Sequence, residues 1–363
     1  MRHRRLPRWS GAVCNWVTDL LDMPKDSGAG LVSGGSVANM VGVMAARHRL
    51  LAEQGWDVEA DGLFGAPEVP VLIGADAHSA PLAALRYAGC GAARVTRVET
   101  DAEGRLRPDA FRAALDACAA PPLVIMQAGQ INTGAFDPFA ELVPLVKERG
   151  GWVHVDGAGG LWVAAVPELA DRLAGVSGAD SWAVDLHKWL NAPFDAGVVI
   201  VRDRPALVAS MSARGAYLPE LTAFWEPADS TPELSRRARG VPSYAILRHL
   251  GRSGVQEMVA RHCRLAERIA ATVSKEPGLR VLNRIHSNQV AIAAGEGEDG
   301  DRLTMRVLHR VQERAVVYPT HGEWAGRKII RASVIGWAMQ DADADRLSSE
   351  IISAYRWCRD NPA

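Results

Sequence analysis

A lysine just beyond one apolar run and an aspartate closing another are the residues most able to do chemistry here. The lysine is Lys188, in Asp185-Leu186-His187-Lys188-Trp189-Leu190; the aspartate is Asp156, in Trp152-Val153-His154-Val155-Asp156. An amine can form a Schiff base, and a carboxylate can keep a pyridine nitrogen protonated, which are the two demands of pyridoxal phosphate. Leu186 and Trp189 beside the lysine predict a desolvated, more neutral amine. Taken alone, Lys188 reads as readily as a solvated surface charge, and the pairing with Asp156 is what lifts it.

Three further segments fit around that pair. In Leu31-Val32-Ser33-Gly34-Gly35-Ser36 two glycines run into a helical pattern, which predicts a phosphate site at a helix N-terminus, with Ser36 as both N-cap and donor. An ordinary capped helix after a loop fits that segment equally well, and the dinucleotide pattern G-x-G-x-x-G is absent. Asp156 precedes Gly157-Ala158-Gly159-Gly160, small residues that let a flat ring approach a carboxylate at a pocket floor. Asp156 could instead cap the following turn, or share a metal with His154 on the same strand face, although no third ligand has motif-like spacing. His78, in Gly74-Ala75-Asp76-Ala77-His78-Ser79, follows a strand and could lay an imidazole over a cofactor ring; a helix cap or surface residue is its plainer reading.

These groups need strands to end at them. Candidate strands run over Val69 to Ile73, Arg94 to Val98, Leu123 to Gln127, Trp152 to Asp156, Ser181 to Val184 and Gly197 to Val201, alternating with helical patterns over Ser36 to Gln54, Pro108 to Ala119 and Pro138 to Glu148. Such alternation predicts an α/β domain with a mostly parallel sheet, which binds ligands at the carboxyl ends of its strands. Ala213 to Pro242 lacks periodicity and reads as an irregular connection. Beyond it, a long helix (Ala245 to Val273), strands at Leu279 to Leu282, Gln289 to Ala293 and Lys328 to Val334, and helices at Asp301 to Glu313 and Ala342 to Trp357 predict a smaller α+β domain. The expected division is 1–235 and 236–363.

Composition narrows the function class. The 363 residues are 48% hydrophobic, with 41 basic and 42 acidic side chains and a net charge of −1, so no basic field for nucleic acid or anionic membrane exists. Five widely spaced cysteines without a C-x-x-C pair suggest neither a disulfide framework nor zinc, and a reduced cytoplasmic setting is expected. The arginines at 2, 4, 5 and 8 are followed by Asp19 and Asp22 rather than by an apolar leader, and no run reaches membrane-spanning length.

From about Trp16 to Arg346 the chain resembles the group II pyridoxal-phosphate-dependent amino-acid decarboxylases, of the fold-type-I, aminotransferase-like superfamily. The resemblance runs through Ser33-Gly34-Gly35-Ser36-Val37-Ala38-Asn39, Ala77-His78-Ser79, Gly134-Ala135-Phe136-Asp137, His154-Val155-Asp156-Gly157-Ala158, His187-Lys188-Trp189-Leu190 and Ser235-Arg236-Arg237-Ala238-Arg239. It implies that Lys188 forms the Schiff base with pyridoxal phosphate, Asp156 pairs with the pyridine nitrogen, His78 stacks on the ring and Ala158 packs beneath it. Gly35, Ser36 and His187 would contact the phosphate. The implied reaction removes the α-carboxylate of an L-amino acid as carbon dioxide, in a homodimer with its site near the subunit interface.

Three departures accompany the likeness. Family members carry a helical arm before the Trp16 region, whereas this chain starts almost at the phosphate loop, which implies a truncated arm and weaker dimerisation. The stretch Ala223 to Asp229, where many members have a loop with a proton-donating tyrosine, has none, and Tyr217 is the nearest. Gln130 stands where threonine is usual. Transamination or bond lysis would use the same Lys188 and Asp156, and a non-catalytic partner subunit is the alternative from another class. Arg331 could grip an α-carboxylate as an aminotransferase requires, but a structural arginine on a small-domain strand is the preferred reading.

Overall fold

Strands that are apolar at every position need cover on both faces. In the computed structural model, which describes residues 6–212 and 227–362, the central sheet receives it. The chain opens with α1 (Leu6–Leu20), β1 (Gly28–Val32), α2 (Gly35–Ala52), α3 (Val58–Asp61), β2 (Val71–Gly74), α4 (Ser79–Tyr87), β3 (Val95–Val98) and α5 (Pro108–Asp116). Next come β4 (Leu123–Gln127), α6 (Phe139–Glu148), β5 (Trp152–Asp156), β6 (Ser181–Asp185), β7 (Gly197–Val201) and α7 (Arg204–Met211). The seven strands lie in the order β1-β7-β6-β5-β4-β2-β3, with β7 antiparallel to both neighbours and the other adjacent pairs parallel.

Period-two alternation divides the strand side chains between two cores. Val124, Met126, Val153, Val155, Trp182 and Val184 join a cluster with α1, α5, α6 and the long helix described below. Leu123, Ile125, Trp152, Ala183 and Val199 face the opposite way, into a cluster built largely on α2. Burying any one of these larger aliphatic side chains contributes on the order of 1.5–3 kcal/mol, so register is strongly fixed.

The second half holds α8 (Gly240–Val273), β8 (Leu279–Val281), β9 (Gln289–Ala294), α9 (Gly297–Glu313), β10 (Thr320–Trp324), β11 (Arg327–Ser333) and α10 (Asp341–Asp360). The four strands form an antiparallel sheet in the order β10-β11-β9-β8. Helix α8 is interrupted at Gly251, whose φ of 62° is open to glycine. Its middle residues Val255, Met258 and Val259 join the large-sheet core and its last turns, from Leu265 on, join the small-sheet core, so one helix bridges both.

Expected strands at Leu123 to Gln127, Trp152 to Asp156 and Gly197 to Val201 form with those bounds. Two strands were not anticipated. β1 hides in a glycine-rich stretch, where Gly30 is required because a Cβ there would lie 2.2 Å from the Ser230 carbonyl oxygen; β10 carries few β-branched residues. Ser36 is not the N-cap: α2 begins at Gly35 and Gly34 caps it without a side chain. A helix also precedes the first strand, α1, packed on α8 with Trp16 stacked 4.9 Å from the Tyr244 ring. Tyr217 and residues 223–226 lie outside the described residues; Pro227–Asp229 form a single 3₁₀ turn.

Candidate active site

Asp156 is the last residue of β5 and Asp185 the last of β6, so both carboxylates emerge at the carboxyl edge of the sheet. Lys188 follows three residues after Asp185, in the turn that leads to β7. A cavity of about 980 Å³ opens above this edge. Residues from both sheets line it, among them Ser36, His78, Asp156, Lys188, Tyr318 and Arg331. All seven residues singled out from the sequence, Gly35, Ser36, His78, Asp156, Ala158, His187 and Lys188, border this one cavity.

The cradle at the start of α2 is built by close approach. A Cβ on Gly34 would lie 2.8 Å from His187 Cε1, and one on Gly35 would lie 3.0 Å from both the Ala158 methyl and Asp185 Oδ2. Glycine therefore lets the β6–β7 turn and the β5 loop meet the helix terminus. First-turn N–H groups have no acceptor within their own helix and carry its positive end, which is a place for an anion. Ser36 is exposed there, its hydroxyl on the cavity wall. The Gly35 N–H donates to Asp185 Oδ1 at 2.5 Å.

Asp156 accepts the Ala158 N–H at 3.2 Å, as the turn-capping reading expected, and its carboxyl group still faces the cavity. Burial pushes its pKa above the ordinary carboxylate range, against the Ala158 N–H and the charges of Lys188 and His78. His78 is half-buried, with burial holding its pKa below the ordinary imidazole value. The helix-cap reading holds. His78 Nδ1 accepts the Ala80 N–H at 3.1 Å, capping α4, and the ring borders the cavity. The Gln127 side chain fixes its backbone by accepting the His78 N–H at 3.3 Å.

Around Lys188 the expectation needs correction. Leu186 and Trp189 are fully buried and belong to the core, yet their burial does not extend to the side chain between them. The Lys188 side chain is 44% exposed, with Nζ 3.0 Å from Asp185 Oδ2. Asp185 is a further polar group of the site. Nothing in the sequence distinguishes it from a strand-end cap, yet it contacts Gly35 and Lys188 and lies 3.6 Å from His187 Nε2. His187 in turn accepts the Ala196 N–H on Nδ1 at 3.3 Å.

His154 is no metal ligand. Both ring nitrogens are engaged in the core, Nδ1 with Ser181 Oγ and Nε2 with Asn39 Oδ1, each at 2.8 Å. Gln130 makes a local clip, accepting the Asn132 and Thr133 N–H groups at 2.6 and 3.0 Å. Arg331, preferred above as a structural residue, borders the cavity from β11. Its contacts, to the Ile131 carbonyl and Thr320 Oγ1, are both long at 3.4 Å. No carboxylate pairs with it among the described residues, and burial lowers its pKa.

A large α/β unit with a mostly parallel seven-stranded sheet, followed by a small antiparallel one and a cavity at the strand ends, places the fold among pyridoxal-dependent decarboxylases. A solved structure, Oryza sativa TDC with PLP and tryptamine, superposes with a TM-score of 0.88 at 23% identity, covering 97% of this chain and 76% of that one. The model of the pyridoxal-dependent decarboxylase conserved domain matches residues 10–294, and the chain belongs to that family. Tryptophan decarboxylase 1 of Oryza sativa subsp. japonica is 27% identical over 93% of this chain and 70% of its own length. The acidic amino acid decarboxylase GADL1 of Mus musculus is 30% identical over 69% of this chain, which spans 46% of that relative.

Proposed function

We propose that this chain is a pyridoxal-phosphate-dependent amino-acid decarboxylase, a carboxy-lyase that releases the α-carboxylate of an L-amino acid as carbon dioxide and leaves the amine. The observation that carries the reading is Asp156: a carboxylate 8% exposed at the floor of a cavity, with the Lys188 amine, the His78 ring and the N-terminus of α2 on the walls. A carboxylate so buried calls for a cation beside it, and a protonated pyridine nitrogen is one. The glycine-lined start of α2 fits a phosphate, so the donor set suits the whole group.

In this reading Asp156 holds a proton at the pyridine nitrogen, and Lys188 supplies the amine that anchors the aldehyde carbon. His78 and the Ala158 methyl would pack against the ring. Gly35, Ser36 and His187 bind the phosphate, while Asp185 orders Gly35 and Lys188 around it. When bound, pyridoxal phosphate supplies the electron sink for the bond broken at Cα. Arg331 orients a substrate carboxylate from the opposite wall.

We read the protein as a cytoplasmic homodimer with a cofactor-binding domain over 1–235 and a smaller one over 236–363. The cysteines support a reducing compartment: all five are free thiols. Among the described residues no helix is long and apolar enough to cross a membrane. Tryptophan and acidic amino acids, the substrates named for its relatives, are the first to try.

The position of Arg331 favours one second reading, transamination, which also needs a grip on the carboxylate. Product analysis separates them. Incubation with pyridoxal phosphate and each L-amino acid should give carbon dioxide and amine in equal amounts, with none from Lys188→Ala. A keto acid without carbon dioxide would establish transamination instead.

A further inference from the structure

Three polar side chains sit in the otherwise apolar layer between the sheet and α2: His154 on β5, Ser181 on β6 and Asn39 on α2, each 0% exposed. Buried polar groups persist when they satisfy one another, and these do so in one direction. Trp152 Nε1 can only donate, and it donates to Ser181 Oγ at 2.9 Å. Asn39 Oδ1 can only accept, so His154 Nε2 carries the proton between them and the Ser181 hydroxyl donates to Nδ1 at 2.8 Å. The neutral ring thus accepts on Nδ1 and donates from Nε2 to Asn39 Oδ1 at 2.8 Å. Burial keeps the imidazole neutral by pushing its pKa down to about 3.

Once its oxygen is taken, Asn39 has only its amide nitrogen to offer elsewhere. Nδ2 is buried and makes no hydrogen bond among the described residues. Asp156 stands two residues beyond His154 on β5, so its side chain leaves the same face of the strand, toward α2, and the Asn39 amide opposes the rise that burial gives its pKa. The packing is made for this approach. A Cβ on Gly42, one turn along α2, would lie 2.4 Å from His154 Cε1, so only glycine lets helix and imidazole close to this distance.

We propose that Asn39 is a positioning residue for the cofactor ring: the chain Ser181–His154–Asn39 aims an amide N–H at Asp156 and so fixes it as the carboxylate that meets the pyridine nitrogen. The inference rests on the pyridoxal-phosphate reading and deepens it. None of the three residues touches the cofactor; each acts through Asp156.

The test is equilibrium binding of pyridoxal phosphate to the apoprotein, followed by its visible absorption and by tryptophan fluorescence. Asn39→Leu is expected to weaken binding about 10- to 100-fold, the range found when a ligand's supporting hydrogen bond is removed. Asn39→Asp, which turns a second carboxylate on Asp156, weakens it further. His154→Gln, whose amide can replace Nε2–H, retains more affinity than His154→Asn. The deciding measurement is a double-mutant cycle with Asp156→Asn. If Asn39 acts through Asp156, Asn39→Leu has no added effect in the Asp156→Asn background; an equal loss in both backgrounds means a merely structural role and overturns the proposal. Should Asn39→Leu fail to fold, Ser181→Ala breaks the chain at its far end and is measured in the same two backgrounds. A wild-type chain that binds no pyridoxal phosphate removes the reading beneath the proposal, an outcome distinct from an unaltered Asn39 variant.

Discussion

At the two ends of β5 and β6 the chain buries aspartates in opposite circumstances. Asp180, just before β6, is 5% exposed and closed on its side-chain side: Lys147 Nζ lies 2.6 Å away, and the Val153 N–H donates at 2.8 Å. It staples β5 to β6. Asp156, at the far end of β5, is as buried but accepts the Ala158 N–H at a longer 3.2 Å and faces a cavity. Asp185 lies between these cases, tied to Gly35 and Lys188 yet on the same cavity wall. A carboxylate whose lone pairs are spent within the protein contributes stability; one left facing open space keeps its capacity for a ligand.

Substitutions sharpen that contrast, in falling order of effect. Lys188→Ala should abolish carbon dioxide release while the protein stays folded, because the side chain is 44% exposed and its one ion pair among the described residues is with Asp185, which also accepts the Gly35 N–H; near-wild-type turnover would remove Lys188 from the chemistry. Asp156→Asn should lower turnover about 10²- to 10³-fold, the range for losing a preorganised charge at a reacting centre, with the melting temperature little changed. At the opposite end the pattern inverts. Asp180→Ala strands the Val153 N–H and should cost about 1–3 kcal/mol of stability, measured by denaturant unfolding, with activity per folded molecule unchanged. Activity lost at Asp180 in step with stability lost at Asp156 would break the comparison.

The smallest expected effect is one of pH. Burial lowers the pKa of His154 to about 3 and that of His262 to about 4, both below the ordinary 6.5. Unfolding lets these rings take up protons that the folded state refuses, so stability is full above about pH 6.5 and falls with acidification toward pH 4 and 3. Thermal melts across that window should show the decline, and His154→Gln should flatten part of it. A stability that rises on acidification there would contradict the buried neutral rings.

Much of the site is legible in the sequence because strand ends are. An apolar run that stops at Asp156 and passes into four small residues has few other uses, and Lys188 stands just beyond another such end. The proposed phosphate cradle is readable from Gly34 and Gly35 for the same local reason, although which residue caps the helix is not. That Arg331 borders the cavity is not legible, because it depends on β11 folding over the site, a contact between distant segments that no local pattern carries. Asp185 escaped because one residue more or less of strand decides whether it is a cap or a wall. Lys188 shows the converse error: flanking apolar residues announce a buried segment, but not which way the side chain between them points.

The most direct test is chemical. Reducing the protein with borohydride in the presence of pyridoxal phosphate traps a cofactor–lysine linkage, and peptide mass mapping locates it. The account predicts a pyridoxyl group on the peptide holding Lys188, at one per chain. Labelling spread over other lysines, or none at all, would contradict it.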